Sequence, residues 1–185
     1  MVVCVTGNTV YGSGSTTRKN PNRVAVLHST DGGHHWGRPV DITEQIYALF
    51  DQSRLGPVDA LFFGSGRICQ SRLSRVGHYY RLYAALCARP GGNRVVYSDD
   101  LGRTWQALGD IHTSPAPNGD EPKVEELPNG DVLLSSRVSG GRLFNIFHYL
   151  SERNATGAWE QQPVLSQKEN GGIKALQNST NGEIL

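Results

Sequence analysis

The sequence predicts an all-β chain built from repeated four-stranded antiparallel units. Three observations predict it. Helix-period hydrophobic patterns are almost absent. Turn signals are dense, with 22 glycines and 9 prolines in 185 residues and Asn-Gly pairs between apolar runs, where both residues tolerate positive φ. One turn cluster also recurs: "STDGGHHW" (residues 29–36) and "SDDLGRTW" (residues 98–105) place serine, aspartate, glycine and tryptophan at the same offsets. Four-stranded units cannot bury both faces alone and stack radially, so the expected architecture is a β-propeller.

Along the chain, "VVCVTG" reads as a first strand and "RVAVLHS" as a second. "DITEQIYALFDQ" (residues 41–52) carries a partial helical stripe of Ile42, Ile46, Leu49 and Phe50, with Asp41 or Thr43 near its start. "YYRLYAALCAR", "NRVVYSD", "DVLLSSR" and "LFNIFHYL" read as strands, joined by "RPGGNR" and "LPNGD". "KVEELPNGDVLL" (residues 123–134) is echoed by "KALQNSTNGEIL" (residues 174–185), with one extra residue before the Asn-Gly. A third, degenerate turn cluster, "SERNATGAW", begins at Ser151. The clusters start 69 and 53 residues apart. Propeller blades run roughly 40 to 50 residues, so an insertion is expected around residues 41–60 and the chain holds about three to four blades. Residues 1–185 then form one partial domain, with both ends reading as interior to a larger chain.

Charge and composition exclude several classes. With 18 basic against 17 acidic residues, there is no basic stripe for nucleic acid. No apolar run reaches the roughly 20 residues of a membrane-spanning helix. Cys4, Cys69 and Cys87 sit in strand-like surroundings and are expected as buried free thiols rather than a disulfide framework. His34 and His35 are adjacent, so on a strand they face opposite ways and make a poor chelate; no metal site is expected. Tyr79, Tyr80 and Tyr83 read as strand and core aromatics. The Asn-x-Ser/Thr matches at Asn154 and Asn178 are too short to decide anything.

The turn clusters explain themselves chemically. Serine and aspartate bond to turn backbone, glycine supplies φ > 0, and tryptophan packs under the turn and between sheets. Ser29, Asp31, Gly33 and Trp36, and Ser98, Asp100, Gly102, Thr104 and Trp105, are therefore expected to be structural and remote from catalysis.

"SDDLGRTW" matches the Asp-box pattern Ser-x-Asp-x-Gly-x-Thr-Trp at every specified position; "STDGGHHW" departs from it only at His35. "NGDEPKVEELPNGDVLLSSR" (residues 118–137) resembles the segment after an Asp box in bacterial sialidases, where a glutamate opens the segment and an arginine closes the next strand. Here Glu121 and Arg137 stand sixteen apart. "WGRPVDITEQIY" and the Gly-x-Gly loop of "FFGSGRICQ" resemble the segments that precede it. The resemblance covers nearly the whole chain.

The resemblance implies a six-bladed propeller of the sialidase type, cut at both ends. It implies a retaining exo-α-sialidase as the parent, releasing terminal sialic acid from glycoproteins, glycolipids or oligosaccharides without metal or organic cofactor. It further implies secretion, or a periplasmic or cell-surface location. In that family the nucleophile is a tyrosine, one of the exceptions among glycosidases. By resemblance, Glu121 is the base that activates it and Arg137 is one of three arginines on the substrate carboxylate. Arg67 and Gln70, beside the Gly-x-Gly loop, are expected to line the substrate pocket, and Glu125 and Glu126 to be strand or surface residues. The family's Phe-Arg-Ile-Pro motif is absent, and residues 1–30 contain no Asp or Glu for the acid/base. The remaining arginine and the tyrosine are expected beyond Leu185. The isolated chain is therefore expected to be inert. The alternative reading is a non-catalytic Asp-box propeller that binds glycan or protein.

Overall fold

The computed structural model describes residues 1–7, 9–117, 119–138, 146–150, 159 and 164–165. The third turn cluster apart from Trp159, the repeat at residues 174–185, and Asn118, Asn154 and Asn178 lie outside the described residues.

Every strand pairing in the described chain is antiparallel. β1 (Val2–Thr6), β2 (Arg23–Leu27) and β3 (Val40–Asp41) form the first sheet, in that order. A helix, α1 (Thr43–Ala48), follows at the expected place. The Thr43 amide donates to Asp41 Oδ1 at 2.8 Å, and the Val24 amide donates to Thr43 Oγ1 at 2.9 Å, which ties the helix start to β2. The second sheet runs β4 (Ala60–Phe63), β6 (Tyr79–Arg89), β7 (Gly92–Ser98), β8 (Gln106–Leu108). β5 (Cys69–Val76) also pairs with β6. The third runs β9 (Gly119–Glu126), β10 (Val132–Val138), β11 (Ile146–Leu150), β12 (Val164–Leu165) in reverse order across the sheet.

The uniform four-stranded unit expected from the repeats holds for the third sheet and needs correction in the other two: among the described residues the first has three strands and the second five. β6 is long enough for β4 to pair with its residues 86–89 while β5 pairs with residues 79–83. The Gly-x-Gly loop at Gly64–Gly66 lies between those two strands.

The sheets stack face to face, with the second in the middle. Alternation along β6 and β7 sends successive side chains to opposite faces. Ala84, Leu86, Ala88 and Val96 meet Val24 and Val26 of β2 and the helical segment's Ile42, Ile46, Tyr47 and Phe50. Tyr83, Ala85, Val95 and Tyr97 meet Val124 of β9 and Val132 and Leu134 of β10. β7 is consequently buried along its whole length. The helical segment thus completes one of the two cores, and Tyr47 is anchored there by donating to Asn22 Oδ1 at 2.8 Å. Of the three tyrosines expected as core, Tyr83 is fully buried, whereas Tyr80 is 39% exposed near the β5–β6 turn.

Candidate functional site

The two turn clusters close through one set of hydrogen bonds. In the second, Ser98 Oγ donates to Asp100 Oδ1 (2.8 Å) and accepts from the Gly102 amide (2.7 Å). Asp100 Oδ1 accepts the Thr104 amide (2.8 Å), and Asp100 Oδ2 accepts the Thr104 hydroxyl (2.6 Å). Trp105 Nε1 donates to the Gly102 carbonyl at 3.2 Å. In the first, Ser29, Asp31, Gly33 and Trp36 make the same bonds, and His35 supplies both its amide (2.9 Å) and its ring Nδ1 (2.5 Å) to Asp31. The imidazole therefore does the work of the threonine hydroxyl. Gly33 and Gly102 have φ of 93° and 79°, a conformation open to glycine.

The tryptophans differ. Trp105 is 3% exposed and packs in the core beside Phe63, whereas Trp36 is 44% exposed. The expectation that both lie between sheets is corrected for Trp36. Its own sheet has no second sheet on its far side among the described residues, so nothing there covers the ring.

Glu121 and Arg137 are brought together by a β-bulge. Between β9 and β10 the register runs Ser136 opposite Pro122, then Arg137 opposite Asp120. Glu121 is the residue left unpaired. Its φ is +31°, in a region that non-glycine residues seldom occupy and that costs about 1–3 kcal/mol. Bulges of this kind re-aim a side chain and concentrate near active sites. Here the bulge sets Glu121 Oε2 3.4 Å from Arg137 Nε, while Arg137 Nη1 donates to Asp120 Oδ2 at 2.9 Å. Asp120 Oδ1 accepts the Glu121 amide at 2.9 Å. One aspartate thus braces both the arginine and the backbone of the glutamate. All three side chains keep partial solvent access, at 24%, 32% and 41% for Arg137, Asp120 and Glu121, so a polar ligand can reach them.

Sequence reasoning missed Asp120, whose one signal was its place directly before Glu121. It also missed Asn93 on β7. Fully buried, Asn93 donates from Nδ2 to Ser136 Oγ (2.9 Å) and to the Asp120 carbonyl (3.3 Å).

Arg67, in the loop before β5, and Gln70, on β5, lie beside the other end of β9. Arg67 Nη2 pairs with Glu125 Oε2 at 2.6 Å. Glu125 is four residues from Glu121, about 13 Å along an extended strand. Arg67 and Gln70 line a hollow of about 430 Å³ with Phe63, Gly64, Ile68 and Leu82. The Gly-x-Gly loop connects the two regions, since Gly64 packs directly on the Pro122 carbonyl. Glu125 and Glu126 are strand residues of β9, as expected, and Glu126 accepts from Ser71 Oγ (2.6 Å) and the Arg72 amide (2.7 Å), binding β5 to β9.

A smaller hollow of about 260 Å³ adjoins Asp120 and is walled by Tyr11, Cys87, Arg89 and Gly119. Tyr11 Oη lies 3.3 Å from Cys87 Sγ. Burial pushes the Cys87 thiol up to about 11, and burial with the nearby Glu125 pushes Cys69 up to about 12. Both are free and buried, and at those values neither is a thiolate nucleophile near neutral pH. Among the described residues no cluster of three His, Cys, Asp or Glu is placed to hold a metal ion, and no helix is long and apolar enough to cross a membrane.

Human sialidase-4 is 27% identical over 160 residues, which is 84% of this chain and 30% of the human protein. Rat sialidase-3 is 27% identical over 175 residues, 90% of this chain and 40% of the rat protein. The chain is similar to sialidases. The fold likeness agrees: the leech intramolecular trans-sialidase superposes with a TM-score of 0.56 at 21% identity, over 80% of this chain and 20% of that one. The Trypanosoma rangeli sialidase does so at 0.52 and 19%, over 87% and 24%. The chain spans well under half the length of the curated relatives it matches. No family model matches it.

Proposed function

We propose that this chain is the central part of a retaining exo-α-sialidase that releases terminal sialic acid from glycoconjugates. The observation that carries the reading is the meeting of Glu121 and Arg137 across the bulge, in a chain similar to sialidases over most of its length. On this reading the three stacked sheets belong to a six-bladed propeller of bacterial sialidase type, and the two turn clusters are its Asp boxes. The parent protein is secreted, periplasmic or on the cell surface, and needs no cofactor.

The chemistry suits the residues. Sialic acid carries a carboxylate on its anomeric carbon, and an anionic nucleophile would be repelled there. A tyrosine avoids that repulsion, but a phenol of pKa near 10 needs a base. Glu121 is that base. Arg137 grips the substrate carboxylate through paired N–H donors, and guanidinium stays charged at any working pH. Asp120 holds the guanidinium in place from one edge. The tyrosine, the acid/base and the other arginines are contributed by the rest of the parent.

The test uses the full-length protein and a fluorogenic sialoside. Glu121→Gln is expected to lower kcat roughly 10²–10⁴-fold, the range for losing a general base. Arg137→Lys is expected to raise KM about tenfold or more, since a charge-assisted bond is worth about 1.5–3 kcal/mol. A non-catalytic glycan-binding propeller predicts no turnover in the unaltered protein, and that result would end the sialidase reading.

A further inference from the structure

We propose that Asn93 is a positioning residue for the Glu121–Arg137 pair, acting from the neighbouring sheet; the inference rests on the sialidase reading for its kinetic consequence and on geometry alone for its structural one. Asn93 sits near the start of β7, while the bulge belongs to β9 and β10. Its single Nδ2 group reaches both bulged strands, donating to the Asp120 carbonyl on one and to Ser136 Oγ on the other. These two acceptors flank the irregularity, which falls between Ser136 and Arg137.

The surroundings are built for this contact. The Asn93 backbone is pinned on both sides: its amide donates to the Ala116 carbonyl at 3.0 Å, and its carbonyl accepts the Ser114 hydroxyl at 3.2 Å. A Cβ at Gly119 would lie 2.5 Å from Asn93 Nδ2, so only glycine admits the side chain at that approach. The amide oxygen Oδ1 is buried without a partner among the described residues. A buried acceptor left unpaired is unfavourable, and a leucine or alanine would avoid it. The position instead keeps the donor and tolerates the orphan oxygen.

The Asp120 carbonyl belongs to the peptide that leads into Glu121. Holding it fixes the plane of that peptide and with it the unusual φ of Glu121. Freed from Asn93, the bulge can relax toward regular pairing. A one-residue slip turns a side chain to the opposite face of a sheet, which would carry Glu121 away from Arg137.

The experiment compares Asn93→Ala and Asn93→Ser with Val96→Ala in the full-length protein. Val96 is on the same strand, equally buried, and belongs to the opposite core, so its variant reports loss of packing alone. Kinetics on a fluorogenic sialoside and amide hydrogen exchange of residues 119–126 are both measured. Asn93→Ala is expected to lower kcat roughly 10–100-fold, as displacement by about 1 Å does, and to speed exchange at residues 119–121 at least tenfold. Asn93→Ser, which keeps one donor, falls between, and Val96→Ala changes neither. Kinetics and exchange in Asn93→Ala that match those of Val96→Ala overturn the proposal. If the unaltered protein does not cleave the sialoside, the sialidase reading fails, and the exchange data alone decide whether Asn93 holds the bulge.

Discussion

At the scale of single residues, the two turn aspartates show how one motif is tuned by its neighbours. The His35 amide and ring, then the Ser29 hydroxyl, hold the Asp31 carboxyl down to about 2. At Asp100 burial works against ionisation, yet the bonds from the Thr104 hydroxyl and amide and from Ser98 outweigh it and lower the value. A carboxyl depressed in the folded state stabilises the fold above its unfolded pKa, and that contribution is lost as pH falls through the folded one. For Asp31 the window runs from about pH 4, the ordinary aspartate value, down to about 2. Asp31→Asn is therefore expected to lower the melting temperature most above about pH 4, with the difference shrinking as pH falls toward and through about 2. Thermal melts of both proteins at several pH values check this. A constant difference across that range would mean that hydrogen-bond geometry, and not charge, makes the contribution.

At the scale of elements, the junction of the Gly-x-Gly loop with β9 is the tightest point near the candidate site. A Cβ on Gly64 would run into the Pro122 carbonyl, a backbone atom that cannot swing aside. Pro122 is the residue after Glu121. Gly64→Ala is expected to destabilise the protein by about 1–3 kcal/mol, the usual cost of overpacking, and to impair the Glu121 site as β9 shifts. Gly12, with open space where a Cβ would go, is the control: Gly12→Ala should leave the urea midpoint and turnover unchanged. Equal behaviour of the two variants would show that the Gly-x-Gly loop and β9 are not in close contact.

At the scale of the whole molecule, stacking of sheets decides what a given residue is worth. Trp105 and Trp36 close identical turns, but only Trp105 is covered by neighbouring elements. Trp105→Ala is expected to cost about 3–5 kcal/mol, as for other buried aromatics. Trp36→Ala is expected to cost about 1 kcal/mol, the ordinary effect of a single substitution. Denaturant unfolding of the two variants measures the gap. Equal losses would show that Trp36 is covered as fully as Trp105.

Local chemistry that acts over a few residues was legible from the sequence. The turn clusters at Ser29 and Ser98, the short helix after Asp41 and the long strand from Tyr79 to Arg89 each follow from nearest-neighbour patterns. Turn bonding and alternating burial need no distant partner. The candidacy of Glu121 and Arg137 was also legible, through their spacing and resemblance. Their juxtaposition was not, because a bulge depends on two strands and leaves no periodic signature in either. Asp120 and Asn93 were hidden for the same reason: an aspartate beside a glutamate and an asparagine in a turn-flanking strand look ordinary until register places them. The exposure of Trp36 and the double pairing of β6 were likewise settled by which surfaces meet. Residue types and local turns were thus determined by the sequence itself, whereas tertiary packing decided which of those residues touch, because contacts between sheets join positions that no local pattern relates.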